Sequence, residues 1–270
     1  MRNRAVQADA EACAWSSRSS RRSLPSRAGL TAISRVTTAL LTTALLTSAL
    51  VGCTGGTDKS TQAKKLTVTE QLAAAKVKVD TAKSMHLSLR SSGVPDSVNG
   101  AVGADGSGTH APAFKGTLDA RISGFQAKVE VVSVDKLLYV KLPFTTAFVK
   151  ADPKTYNAPD PAQLFATEGG ISSLLTATTN PVEGKQTRVG SDVLQTITGT
   201  LPGSSVARLF NIGDATKAFV VTYGITDPDG ELRTVTMTGP FFKSATATPA
   251  RSTYVLTLDK YGAPVEISKP

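Results

Sequence analysis

Reactive and cross-linking side chains are scarce in this sequence. Its 270 residues include two cysteines, two histidines and one tryptophan, and only 6% are aromatic. Cys13 falls in an N-terminal segment read below as a leader, which leaves Cys53 alone in the rest of the chain. An internal disulfide and a cysteine-based zinc site are therefore excluded. Beyond the leader the histidines are His86 and His110: His86 falls on the polar side of an alternating segment and reads as exposed, and His110 falls in a loop beside Pro112. There is no Gly-x-Ser-x-Gly elbow, His-Glu-x-x-His helix or phosphate-binding loop, so no catalytic residue is assigned and the chain is not expected to be an enzyme. Gly103, Gly106 and Gly108 lack the strand and helix context of a phosphate cradle and read as a flexible loop. Asp227 and Asp229 lack the calcium-loop spacing and read as a hairpin turn. No metal and no cofactor is expected.

Long apolar runs are missing as well. The apolar stretch Thr37–Val51 is uncharged but about 15 residues long, short of the roughly 20 that span a bilayer as a helix. Basic character is also less than it seems. The formal charge is +9, but residues 1–52 hold seven arginines against Asp9 and Glu11, so +5 belongs to that segment and +4 to the rest. Without blocks of Lys/Arg interleaved with aromatics, nucleic acid is not an expected partner. Mild attraction to anionic headgroups is compatible with the remainder.

What is present at the N-terminus has a mechanism. Arg18, Arg21, Arg22, Arg27 and Arg35 form a positive region before the apolar stretch, the arrangement of an export signal whose basic end stays in the cytoplasm. Ser20-Arg21-Arg22-Ser23-Leu24 resembles a twin-arginine motif without its usual aromatic, so both general and twin-arginine export fit. Leu50-Val51-Gly52-Cys53 resembles the bacterial lipobox: small residues let a peptidase approach the backbone, and the thiol accepts diacylglycerol as a thioether. Residues 1–52 are thus expected to be a signal peptide of lipoprotein type. Residues 53–65, rich in Gly, Thr, Ser and Lys, are expected to be a flexible tether with lipidated Cys53, and 66–270 one domain. Two acyl chains anchor durably where one is marginal. The expected location is the outer face of the cytoplasmic membrane, attached through diacylglyceryl-Cys53.

Within the domain, Val68, Leu72, Ala75, Val79 and Ala82 recur at helical spacing and predict an amphipathic helix over Val68–Lys83. The period then changes to two at Met85, Leu87 and Leu89. The glycine-rich segment 93–108 predicts a weak, bulged or mobile strand. Leu118, Ala120 and Ile122 alternate with polar residues, as do Phe125, Ala127, Val129 and Val131, and Leu137–Leu142 follows the turn at Asp135-Lys136. Short strands joined by tight turns predict an antiparallel meander. Asp160 caps a short helix with Pro161 at its first position. Ile171, Leu174 and Leu175 mark a second short helix, and Ser204–Phe210 a third. Further strands are predicted at 182–189, 193–200, 218–226, 231–238 and 253–258, with 264–267 closing the sheet. Together these give an α+β domain: one strongly bent antiparallel sheet with helices on its concave side. The few large aromatics leave the space between sheet and helices underfilled, a gap that ligand or solvent would occupy.

Several features in order along residues 53–270 resemble the mycobacterial LppX/LprA/LprF/LprG lipoproteins. They are the lipobox at Cys53, Ser84-Met85-His86, Asp135-Lys136-Leu137-Leu138-Tyr139, Tyr156 with Asp160-Pro161-Ala162-Gln163-Leu164, Glu183-Gly184 and Gly262-Ala263-Pro264-Val265. The resemblance implies a half-barrel enclosing an apolar cavity that binds long-chain acylated lipids or glycolipids and helps move them from the cytoplasmic membrane toward the outer envelope. It also places Leu118 on a strand position that faces the cavity. By alternation Ala120, Ile122, Ala127, Val129 and Val131 share that face. Alternation alone marks a packed core; the resemblance assigns these residues to a cavity wall. The competing function is a membrane-tethered scaffold or accessory subunit of an export or envelope-assembly complex, with no lipid cargo and a membrane export protein as partner.

Overall fold

The computed structural model describes residues 65–122, 124–153, 159–242 and 251–270. The leader, Cys53, Tyr156 and all of the tether except Lys65 lie outside them. Among the described residues the domain is one unclosed, curled antiparallel sheet of eleven strands with three α-helices on its concave side. In chain order the strands are β1 (Ser84–Ser92), β2 (Gly100–Thr109), β3 (Ala113–Ile122), β4 (Phe125–Val134), β5 (Leu137–Lys141), β6 (Val149–Ala151), β7 (Thr179–Val189), β8 (Asp192–Pro202), β9 (Ala218–Thr226), β10 (Leu232–Gly239) and β11 (Ser252–Asp259). The helices are α1 (Val68–Thr81), α2 (Ile171–Ala177) and α3 (Gly203–Phe210), and a 3-10 helix covers Pro161–Phe165.

Spatial order across the sheet is β6-β5-β4-β3-β2-β1-β11-β10-β9-β8-β7. The chain starts at the middle of the sheet, steps outward to β6, crosses over through the helices and steps back from β7 to place β11 beside β1. Every neighbouring pair except β1 and β11 is consecutive in sequence, so short turns set most of the register. Asp135 and Lys136 both lie in the left-handed region, at φ 53° and 61°, the backbone of a two-residue hairpin turn. Gly124, at φ 83°, does the same work between β3 and β4.

Local sequence explains the helices. Thr67 caps α1: the Glu70 backbone N–H donates to its hydroxyl at 3.3 Å, and its own N–H donates to the Glu70 carboxylate at 2.7 Å, a complete capping box. That backbone donor holds the Glu70 carboxyl below the usual carboxylate range. Leu72, Ala75 and Val79 form the buried stripe of α1. Asp160 caps the 3-10 helix by accepting from the Ala162 N–H at 3.0 Å, and its carboxylate also accepts from Ser133 Oγ, tying the cap to β4. α1 packs on α2, β7 and β10; the 3-10 helix packs on β2, β3 and β4; α3 packs on β8 and β9.

Three expectations are corrected. The glycine-rich segment is not a flexible loop from 103 onward: β2 is a paired ten-residue strand with a single irregularity between Ala101 and Gly103. The glycines are there because rings lie on them. A Cβ at Gly106 would stand 2.6 Å from Phe114 Cζ, and one at Gly108 2.4 Å from Phe165 Cδ2. Residues 264–267 are not a strand, although their exposure alternates. β11 is already paired on both sides, with β1 and β10, and Lys260 (φ 51°) and Gly262 (φ 71°) turn the chain away from it. The tail instead ties to strand ends, where the Gly262 N–H donates to Ser84 O and Lys269 meets Asp135 at 3.0 Å. Finally, the aromatics are few but concentrated. Phe114 stacks with Phe165 at 6.0 Å, and Phe210, Phe219, Phe241 and Tyr254 form a cluster with centroid separations of 4.3–6.2 Å. They fill much of the space that the composition left open.

The Gly108 contact gives the first testable consequence. Phe165 is buried and held by its own stack, so Gly108→Val must displace it. We expect the variant to lose about 1–3 kcal/mol, the range for overpacked cores, read as a lowered midpoint in thermal or urea unfolding. Asp119 Oδ2 is the near neighbour of Gly103, on the outer face; Gly103→Ala is expected to cost less because a surface carboxylate can swing aside.

Candidate functional site

The register of β3 and β4 brings the expected site residues together. Leu118 pairs with Val129, Ala120 with Ala127 and Gly116 with Val131, so Leu118, Ala120, Ala127, Val129 and Val131 share the concave face. Ile122 pairs with Phe125 at the end of the same ladder; its side chain lies outside the described residues. The opposite face of these strands is polar and carries the ion pairs Lys128–Asp119 at 3.0 Å and Lys141–Glu130 at 2.9 Å. Period two therefore separates an apolar wall from a solvated one.

Cover over the wall falls off along the strand. Val131 is 1% and Val129 7% exposed; Ala127 is half-buried; Phe125, on the same face, is 78% exposed. On β3, Leu118 and Ala120 are half-buried and touch the core without belonging to its closed part. The concave face is thus a solid core at the end where β1 begins and an incompletely covered apolar trough at the end where β1 stops.

Next to this trough lies an apolar pocket lined by Leu89, Val94, Val98, Ala101, Phe210 and Tyr254, with about 50 Å³ of free volume. Ala101 pairs with Ala120 across β2 and β3, so pocket and trough form one surface. Asn99 and Tyr254 are its polar members, Tyr254 at the buried end. The hydroxyl is buried and makes no hydrogen bond, and burial pushes it up to about 12, so it stays a neutral donor at physiological pH. Sequence reasoning missed this half of the site. Tyr254 had a detectable signal, since it alternates inward with Leu256 and Leu258 on β11. Val94 and Val98 had none, because the segment from Gly93 to Gly100 follows no period.

The histidines turn out to be ties. His86 is half-buried on the outer face, with Nδ1 2.7 Å from Asp259 Oδ1 and Nε2 3.4 Å from Asp105 Oδ1, which joins β1 to β11 and β2. His110 is part of the packing, not a free loop residue. Its ring nitrogens face Phe165 O at 2.6 Å and Val79 O at 2.7 Å, linking the β2–β3 turn to the ends of α1 and the 3-10 helix.

A model of the LppX_LprAFG lipoprotein family matches residues 64–267. No curated protein matches the sequence. Among solved structures, the fold is similar to LprF from Mycobacterium bovis, with a TM-score of 0.62 at 16% identity over 75% of this chain and 96% of that one. It is also similar to the lipoprotein LppX of Mycobacterium tuberculosis, with a TM-score of 0.54 at 21% identity over 74% of this chain and 98% of that one. At these identities the likeness is one of fold, and it covers nearly the whole of both relatives.

Proposed function

This chain belongs to the LppX_LprAFG lipoprotein family, and from that premise we propose that it binds long-chain acylated lipids or glycolipids along its concave apolar face and helps carry them from the cytoplasmic membrane toward the outer envelope. The observation that supports this reading most is the incompletely covered wall of Leu118, Ala120 and Ala127 running into the pocket beside Ala101. Apolar surface left half-open gains about 25 cal/mol for every Å² an acyl chain removes from water. Carriage of this kind needs no catalytic group.

The pocket volume sets a condition. Ligand sites typically hold about 300–1,000 Å³, several times the 50 Å³ free here. Filling the pocket with an acyl chain therefore requires its walls, Val94 and Val98 of the β1–β2 connection and Phe210 at the end of α3, to move apart. Selectivity follows from how far that widening goes, with headgroups left at the open end.

The same reading includes the anchor: a signal peptide over 1–52, a tether over 53–65 carrying diacylglyceryl-Cys53, and the lipid-binding domain over 66–270, held at the outer face of the cytoplasmic membrane. The test is mass spectrometry of organic extracts from the domain over 66–270, which contains the whole described core, made in an actinobacterial host and purified without detergent. We expect long-chain lipid at near one per protein. A folded domain without extractable lipid would overturn the carrier reading in favour of a tethered scaffold for an export or envelope-assembly complex.

A further inference from the structure

Phe144 is fully exposed, and its backbone lies in the left-handed region at φ 68°. It occupies the third position of a turn closed by the Thr145 N–H donating to Leu142 O at 3.2 Å, with Pro143 in second position. That is the arrangement of a type II turn, whose third position suits glycine or asparagine. A phenylalanine there accepts backbone strain and gains no burial in return, so the fold does not account for it. Residues 142–148, Leu-Pro-Phe-Thr-Thr-Ala-Phe, carry no charge, and Leu142 is exposed beside the ring.

A second ring stands at the same end of the sheet. β4 begins at Phe125, and β5 ends at Lys141, whose partner on β4 is Glu130. The β3–β4 turn and the β5–β6 loop therefore project from one end of the sheet, the end where Val94 and Val98 line the pocket. Two exposed aromatics on separate tips flank the open end of the trough. We propose that Phe125 and Phe144 insert into the phospholipid surface and seat the mouth of the trough on the bilayer. The proposal rests on the reading of Cys53 as a lipid anchor and of the concave face as the lipid site.

Two further observations favour a bilayer as the occupant. The first is reach: the roughly 12 residues from Thr54 to Lys65 can extend about 40 Å, against about 33 Å for a ten-residue strand. Lys65 lies near Thr226 and Asp227, at the opposite end of the sheet, so the tether is long enough to let the mouth face the membrane from which it hangs. Permanent tethering keeps the bilayer at high effective concentration, and two weak insertions then suffice. The second is charge. Lys128 and Lys141 are neutralised by Asp119 and Glu130, and Arg121 lies 3.4 Å from Asp96, which leaves exposed Lys150 as the main cation of β3–β6 at this end. The contact is apolar insertion and should survive high salt.

The test uses the native lipoprotein reconstituted in phosphatidylcholine and phosphatidylglycerol vesicles whose acyl chains carry bromine. The one tryptophan, Trp15, lies in the leader that is cut away, so Phe125→Trp, Phe144→Trp and Leu137→Trp each place a single reporter in the mature protein, the last at the opposite end of β5. Expected are a blue shift and a loss of emission for the first two, retained in high salt, with Leu137→Trp unaffected. Equal quenching at all three positions, or none at 125 and 144, would overturn the docking. Lipid extracted from the same preparations separates the two readings. Carried lipid with unquenched reporters rejects docking alone, and quenched reporters without carried lipid support docking while rejecting carriage.

Discussion

Replacing Cys53 by serine is expected to abolish acylation and to leave no protein of mature mass in the membrane fraction. On the proposed anchor the Cys53 thiol is the group that forms the thioether, and a hydroxyl does not substitute for it. Anchoring by two acyl chains draws on about 0.8 kcal/mol for each buried CH₂, so loss of both changes membrane partitioning by many orders of magnitude. Among the described residues no helix is long and apolar enough to cross a membrane, and docking through two phenylalanine rings is far weaker than a diacylglyceryl anchor. The cut before residue 53 should fail together with the acylation, because the peptidase acts on the lipidated precursor. Intact mass then reads a chain that still carries residues 1–52, and any portion released by another peptidase collects in the medium. A Cys53→Ser protein of mature mass that remained in the membrane would reject the anchor at this residue.

How far the sequence revealed the fold depended on whether a signal was local. α1 was legible because its apolar stripe recurs at helical spacing, and β1 because Met85, Leu87 and Leu89 alternate cleanly. The Asp135-Lys136 turn and the Asp160 cap were legible for the same reason: the residues that make them are adjacent. β2 was not. Its glycines look like disorder until Phe114 and Phe165 lie across them, and those partners sit on β3 and on a helix 57 positions after Gly108. The tail misled in the opposite direction. Val265 and Ile267 alternate like strand residues, but period two cannot report whether a sheet edge is free to receive them. At the site, the register of β3 and β4 followed from alternation plus a two-residue turn. The cover over that face could not, since it depends on where helices stop, and the helices stop short of Phe125.

Leu118→Trp is expected to reduce carried lipid to a small fraction of the wild-type load while leaving the domain folded. Leu118 faces the trough between Ala104 on β2 and Val129 on β4, and it is half-buried, so an indole can lie along Ala120 and Ala127 toward the open end without entering the closed core. The stability cost should stay below the roughly 1–3 kcal/mol of overpacking, because the added volume lies in the open trough and not in the packed core. The trough, however, is then occupied by the protein's own ring. Val131→Trp supplies the contrast. It lies on the same face two pairs away but is 1% exposed, so the added volume must force the packed core apart, at about 1–3 kcal/mol, with no open wall to block. Unfolding midpoints and lipid-to-protein ratios measured on both variants separate occupancy from stability. A Leu118→Trp domain with a normal melting midpoint and an undiminished load would place the acyl chain elsewhere, in the pocket under Tyr254 and Phe210, where the β1–β2 connection and not the β3–β4 wall would govern entry.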